Sequence, residues 1–234
     1  FGFEYATDSK YFSGILKNCI VDGNITVNSG MLVNNMVTSN KIHISNQPKI
    51  RPSIKPYLYS NRIHSTGNRS SFFLSLAVSY AHSHRLVNNS ISGFSSLYTY
   101  TNYHGSGFEF MNNTFENCGF ESLFSSQKEG DLVRNEFIDC SFAHGREALY
   151  EFCFENSNFI RCETIVIDTQ KASLANFRMR GNYWGDINTQ ELLSASGTSN
   201  VTFIFDYYDD FNFTKVDYSN WSESRQRACQ KRRP

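Results

Sequence analysis

Apolar residues along this chain alternate with polar ones in short runs, as in Ile42-His-Ile44 and Phe108-Glu-Phe110. A period of two is what a strand with one buried face requires, because successive side chains point to opposite sides. Apolar residues at helical spacing are scarce, the exception being Glu191-Leu-Leu-Ser-Ala195. The pattern predicts many short strands and little helix.

The strands recur at a fixed interval. Asn113-Thr-Phe-Glu-Asn-Cys118, Asn135-Glu-Phe-Ile-Asp-Cys140 and Ser157-Asn-Phe-Ile-Arg-Cys162 repeat one pattern with a period of 22 residues. A repeat of that length marks a solenoid, in which each unit buries its apolar face only by stacking on its neighbours. A looser form of the pattern, polar-any-apolar, recurs at Asn18-Cys-Ile20, Asn34-Asn-Met36, Asn61-Arg-Ile63, Asn89-Ser-Ile91 and Gly181-Asn-Tyr183. From Asn34 onward the intervals are 27, 28, 24, 22, 22 and 24 residues, whereas the 16 residues from Asn18 to Asn34 are too few for a full coil. The expected fold is all-β: a right-handed parallel β-helix of about eight coils, each with three short strands, and a C-terminal closing segment.

In that register Phe115, Phe137 and Phe159 form one buried column, and Cys118, Cys140 and Cys162 form another. A rung spacing of about 4.8 Å brings the cysteine Cα atoms within disulfide range. In-register side chains point the same way, however, which favours stacked free thiols over bridges. Asparagine suits the corners, since its amide bonds its own backbone or the equivalent amide a rung away and tolerates the left-handed conformation. The Asn column is read first as a structural ladder.

Composition narrows the picture. The 21 Phe and only 4 Pro favour stacked aromatic columns. With 22 basic and 22 acidic residues the net charge is zero, so no global field recruits nucleic acid. No run of 18 apolar residues is present to form a membrane span, and no Cys-x-x-Cys pair invites zinc. Sequons at Asn24, Asn68, Asn88, Asn112, Asn200, Asn212 and Asn220 permit glycosylation. One β-helix domain is expected over residues 1–221, followed by a solvated basic tail over 222–234 that carries the run Arg225 to Arg233. Phe1-Gly-Phe-Glu-Tyr5 already reads as strand, so the N-terminal end is expected to be capped by other residues or by a partner, and open solenoid ends offer edges for self-assembly.

Arg180-Gly-Asn-Tyr-Trp-Gly-Asp186, followed by Ile204-Phe-Asp-Tyr-Tyr-Asp-Asp-Phe211 and Lys215-Val-Asp-Tyr-Ser219, resembles the closing coils of secreted right-handed parallel β-helix proteins of the pectin-lyase-like superfamily. In that family an Asn-Tyr/Trp-Trp-Gly motif precedes an Asp-rich strand and a final apolar strand. The resemblance is specific over residues 176–221 and general over 10–175, and it departs at Asn220-Trp221, where the family carries Pro. It implies an extracellular or cell-surface protein. In physical terms, Tyr183 and Trp184 plug the open end, residues 201–218 run as closing strands, and Gly181 and Gly185 allow the chain to turn. Asp206, Asp209 and Asp210 cap terminal backbone groups or pair with Arg178 and Arg180, and they are weak candidates for a calcium site.

The superfamily holds lyases, esterases and hydrolases beside non-catalytic members, and fold does not choose among them. His-Gly pairs occur at His104 and His144, but the Asp209-Asp210 pair falls in the closing motif, out of the order a hydrolase needs. The 22-residue register places Glu116 on Ile138 and Ile160, and Asp139 between Asn117 and Arg161, so neither forms a carboxylate stack. Tyr98, Tyr100 and Tyr103 in Leu97-Tyr-Thr-Tyr-Thr-Asn-Tyr103 are the better hint, because two rings on one strand face can stack on a glycan; the alternative is that they cover a loop. The expected function is a non-catalytic module, structural or binding glycan or other extracellular protein chains. The alternative is a polysaccharide lyase or glycoside hydrolase.

Overall fold

The computed structural model describes residues 10–12, 14–28, 30–45, 57–65, 67, 71–76, 84–101, 108–123, 130–142, 152–162, 165–166, 177–194, 200–209 and 215–226. It is a parallel β-helix. Nine strands, Ile15–Lys17, Met31–Val33, Tyr57–Tyr59, His84–Val87, Phe108–Met111, Gly130–Val133, Phe152–Glu155, Phe177–Arg178 and Val216–Asp217, stack in that order as a first sheet. A second sheet of seven runs from Ile20–Asp22 to Asn158–Ile160, and a third of seven from Lys10–Phe12 to Ser141–Phe142. Each coil up to Asn158–Ile160 contributes one strand to the sheets it spans, so hydrogen-bonded neighbours are one turn of the solenoid apart, and Ile165–Val166 pairs separately with Ile204–Phe205.

The coil closes with fewer residues than expected. Ile15 pairs with Met31 and Ile20 with Met36, so the 16-residue segment is a complete three-strand coil. Only two residues separate the strand Ile25–Asn28 from Met31–Val33. The turn is so tight that a Cβ on Gly30 would lie 2.8 Å from the Gly14 carbonyl oxygen. In later coils most of the extra residues fall at this same corner, between Ser45 and Tyr57, Leu76 and His84, Thr101 and Phe108, Leu123 and Gly130, and Phe142 and Phe152, while one coil also lengthens the second corner between His64 and Ser71. The third corner thus absorbs most of the added length.

The other two corners turn through left-handed residues. At the first, Asn18, Asn34, Ser60, Asn88, Asn112, Arg134 and Asn156 have φ of 52–58°, and Gly181 follows at 68°. At the second, Gly23, Gly93, Asn117, Asp139 and Arg161 do the same. The buried ladder is built from the residues just after the first corner: Asn35, Asn61, Asn89, Asn113, Asn135, Ser157 and Asn182. Asn61 donates its backbone N–H (3.0 Å) and its Nδ2 (2.9 Å) to Asn89 Oδ1, and Nδ2 also reaches the Leu32 carbonyl at 2.9 Å. Its own Oδ1 accepts the equivalent pair from Asn35. Ladder and corner are therefore two adjacent columns, where the sequence reading merged them into one.

That merger shifts the expected register by one residue at both ends. The ladder intervals are 26, 28, 24, 22, 22 and 25 residues, counted from Asn35 to Asn182. Because side chains alternate, a one-residue slip moves a whole set to the other face. Val37 is thus 1% exposed and aligned with Ile63, whereas Ile20 and Met36, expected to face inward, are 65% and 49% exposed. The same slip makes Trp184, not Tyr183, the next ring above Phe159.

The core changes from aliphatic to aromatic along the axis. Leu32, Val37, Ile42 and Ile44 fill the early coils, and Phe110, Phe115, Phe120, Phe137, Phe142, Phe154 and Phe159 fill the middle ones. Phe115 stacks on Phe137 at 5.4 Å and Phe137 on Phe159 at 4.9 Å, while Phe120 and Phe142 form a second column meeting the first edge-on. Trp184 continues the column, 4.7 Å from Phe159 and 17° from its plane.

The closing end is a helix rather than a run of strands. Gly185–Ser194 is helical, with Thr189 and Leu192 buried, and within residues 201–218 the described strands are Ile204–Phe205 and Val216–Asp217. Asp186 occupies the first turn, where an acid complements the helix dipole, and it accepts the Tyr183 hydroxyl. Residues 222–226, expected in the solvated tail, lie on the solenoid instead. The Gln226 backbone donates to Asn158 Oδ1 at 2.8 Å, Asn158 Nδ2 returns to the Gln226 carbonyl, and Arg225 Nε reaches Glu136 at 2.7 Å.

Candidate functional site

The tyrosines singled out from sequence are placed only in part. Tyr98 and Tyr100 belong to the strand Ser96–Thr101, where Tyr98 pairs in register with Phe73 and Ser122, and Tyr100 with Ser75. Their side chains, and Tyr103 altogether, lie outside the described residues, as do Asp210 and the His-Gly pairs at His104 and His144. The cysteines Cys118 and Cys140 are buried free thiols, and Cys162 is a half-buried one. Each donates to the carbonyl two residues before it, at 3.4, 3.3 and 3.8 Å respectively. Hydrogen bonds from the neighbouring thiols and burial together push the Cys140 thiol up, while its contact holds Cys118 and Cys162 down.

The closing aspartates serve the backbone. Asp206 is buried and accepts the N–H of Tyr208 at 3.0 Å and of Val216 at 2.9 Å, one on each oxygen, and burial pushes its carboxyl up. Asp209 accepts the Asp206 N–H and the Asn200 amide. Neither pairs with Arg180, which instead donates Nε to Asp217 at 2.6 Å. Among the described residues no three His, Cys, Asp or Glu side chains converge as a metal site. A cleft of about 630 Å³ opens beside this end, lined by Ile160, Arg161, Cys162, Trp184, Asp186 and Arg225 among others. Both arginines are already engaged, Arg161 in a two-point contact with Asp139 and Arg225 with Glu136.

The feature that sequence reasoning missed is on the outside of the first sheet. The last outward position of each strand aligns as Lys17, Val33, Tyr59, Val87, Met111, Val133 and Glu155. Five consecutive rungs thus present an apolar or aromatic side chain on the face turned from the core, with a cation at one end and a carboxylate at the other. Met111 is 38% exposed, and Val33, Tyr59, Val87 and Val133 are half-buried. The parallel column two residues earlier reads Ile15, Met31, Tyr57, Arg85, Glu109, Asp131 and Cys153. Ile15 is 62% exposed, the Tyr57 and Tyr59 rings stack at 5.8 Å, and Arg85 pairs with Glu109 at 2.6 Å. The signal was present in the sequence as Leu32-Val-Asn-Asn35, Leu86-Val-Asn-Asn89, Phe110-Met-Asn-Asn113 and Leu132-Val-Arg-Asn135, where an apolar residue follows the inward one at a position that alternation reserves for a polar residue.

Four of the described carboxylates are committed to arginines. Glu109 pairs with Arg85, Asp139 with Arg161, Glu136 with Arg225 and Asp217 with Arg180. Hydrogen bonding to Arg161 holds the Asp139 carboxyl below the usual range. Three of these pairs brace adjacent rungs of the stack, and the fourth ties the C-terminal segment to it. No protein-family model matches this chain, and neither does any curated protein or solved structure.

Proposed function

We propose that this protein is a non-catalytic extracellular or cell-surface β-helix module that binds an extended partner along the outer face of its nine-stranded sheet. The observation that carries the reading is the five-rung apolar column from Val33 to Val133. A contiguous apolar face rimmed by charge is the usual mark of an interaction surface, whereas a catalytic flank keeps carboxylates free to hold or move protons. The pairing of Glu109, Glu136, Asp139 and Asp217 with arginines supports the non-catalytic side of the proposal. The likeness of residues 176–221 to the closing coils of pectin-lyase-like proteins supports the extracellular setting.

The test is a panel of acidic and neutral polysaccharides incubated with the protein, with and without calcium. The expected result is that no unsaturated or reducing ends are released. Release that disappears on changing a single Asp or Glu would overturn the reading in favour of a lyase or hydrolase. In affinity electrophoresis, glycan retention that depends on Tyr98 and Tyr100 would move the binding face to the third sheet.

A further inference from the structure

We infer that the partner on this face is a second copy of the same chain, docked with its solenoid axis antiparallel. The inference rests on the outer face of the first sheet being a binding surface, and it adds what binds there. The column from Lys17 to Glu155 has seven rungs with Val87 at its centre and opposite charges at its ends. A two-fold axis running parallel to the strands at the level of Val87 reverses the order of rungs and leaves each column facing itself. Val87 then meets Val87 of the second copy, Tyr59 meets Met111, Val33 meets Val133, and Lys17 meets Glu155, each contact occurring twice. An isologous interface demands this self-complementarity.

In the neighbouring column the same operation sets Arg85 opposite the second copy's Arg85 on the axis and Tyr57 opposite its Glu109. Arg85 is held by its own Glu109 on the next rung at 2.6 Å. The second copy's Glu109 then lies on the opposite diagonal of Arg85, so the two facing guanidinium groups are flanked by one carboxylate on each side. A polysaccharide suits the surface less well, because the central column offers Val, Val, Met and Val side chains with no hydrogen-bonding group, and only Tyr59 carries one. Seven rungs at about 4.8 Å and two columns about 7 Å apart bury on the order of 900 Å² counting both copies, which lies just below a standard stable interface. The dimer is therefore expected to be reversible and concentration-dependent.

Sedimentation equilibrium of the protein from low micromolar to near-millimolar concentration tests the inference. The wild type is expected to show a reversible monomer–dimer equilibrium. Val87→Glu should weaken it by about tenfold or more, because it sets two carboxylates on the axis. Met111→Lys, at a side chain already exposed, gives a second reading if Val87→Glu disturbs the fold as judged by circular dichroism. Lys17→Glu and Glu155→Lys should each weaken association about two- to fivefold, and the double exchange should restore it. A wild type that stays monomeric, central variants that associate as the wild type does, or a double exchange no better than either single change would each overturn the second copy as partner. A monomer inert toward polysaccharides removes the dimer and leaves the non-catalytic module standing, while a dimer that cleaves polysaccharide does the reverse.

Discussion

The early coils and the middle coils make one cross-section from different materials. Between Ile15 and Ile44 a turn takes 16 residues and is filled by Leu, Val and Ile, while between Phe108 and Phe159 it takes 22 and is filled by phenylalanine rings. The three strands and two left-handed corners are common to both, so the extra residues change the third corner and leave the barrel of the coil alone. The difference teaches that rung geometry is set by backbone pairing and the Asn ladder, and that the side chains inside are chosen to fill the space it leaves. The early coils are also the ones with exposed Ile15, Ile20 and Met36 on their outer faces.

The largest contrast should appear in core truncations. Phe137 is flanked by rings on both neighbouring rungs and meets Phe120, Phe142 and Phe154 edge-on. Phe137→Ala should cost about 3–5 kcal/mol in urea unfolding, and Val37→Ala in the early coils about 1–2 kcal/mol. Equal losses at the two sites would show that the aromatic columns carry no special share of stability.

A ladder change should cut across both regions. Asn89→Ala strips the acceptor used by Asn61 N–H and Nδ2 and the donor that serves the Leu58 carbonyl, all of them buried. A loss of about 2–4 kcal/mol is expected, since buried polar groups are left without partners. The smaller, opposite experiment is Ser157→Asn. Asn135 gives its backbone N–H to Ser157 Oγ at 3.0 Å, while its Nδ2 bonds only the Phe110 carbonyl among the described contacts. Restoring the amide should stabilise by up to about 1 kcal/mol, read as a higher unfolding midpoint.

The smallest effect is electrostatic and belongs to the closing end. Burial raises the Asp217 carboxyl, but hydrogen bonds from Arg180 and Ser219 outweigh it and leave the group below the usual range. Its folded value lies below its unfolded one, so its contribution is present at neutral pH and fades as pH falls through the depressed value. Asp206 has the opposite sign, because burial raises it and ionisation is disfavoured in the fold. Asp217→Asn should flatten the acid limb of a stability–pH curve, and an unchanged limb would show that the Arg180 contact is not felt in solution.

Much of this was legible in the chain. The 22-residue period identified Phe115, Phe137 and Phe159 as equivalent positions, because stacking in a solenoid gives each equivalent residue the same neighbours. Where Asn stands beside Asn, as at Asn34-Asn35, Asn88-Asn89 and Asn112-Asn113, two alignments fit the pattern equally well. The chain alone therefore put Met36 inside, carried the same slip to Ile20 through Asn18, and held the 16-residue segment short of a coil.

The sequence by itself determined that the chain stacks as a parallel β-helix and which middle residues share a column, since both follow from periodicity and from the need to bury an apolar face on a neighbour. Only the tertiary structure decided which asparagine of each doublet is buried, that a helix rather than strands covers the end, and that five apolar residues share one outer face. Each of these depends on what the adjacent coil presents within a hydrogen bond or a ring's width, and a one-residue shift in that pairing exchanges inside for outside.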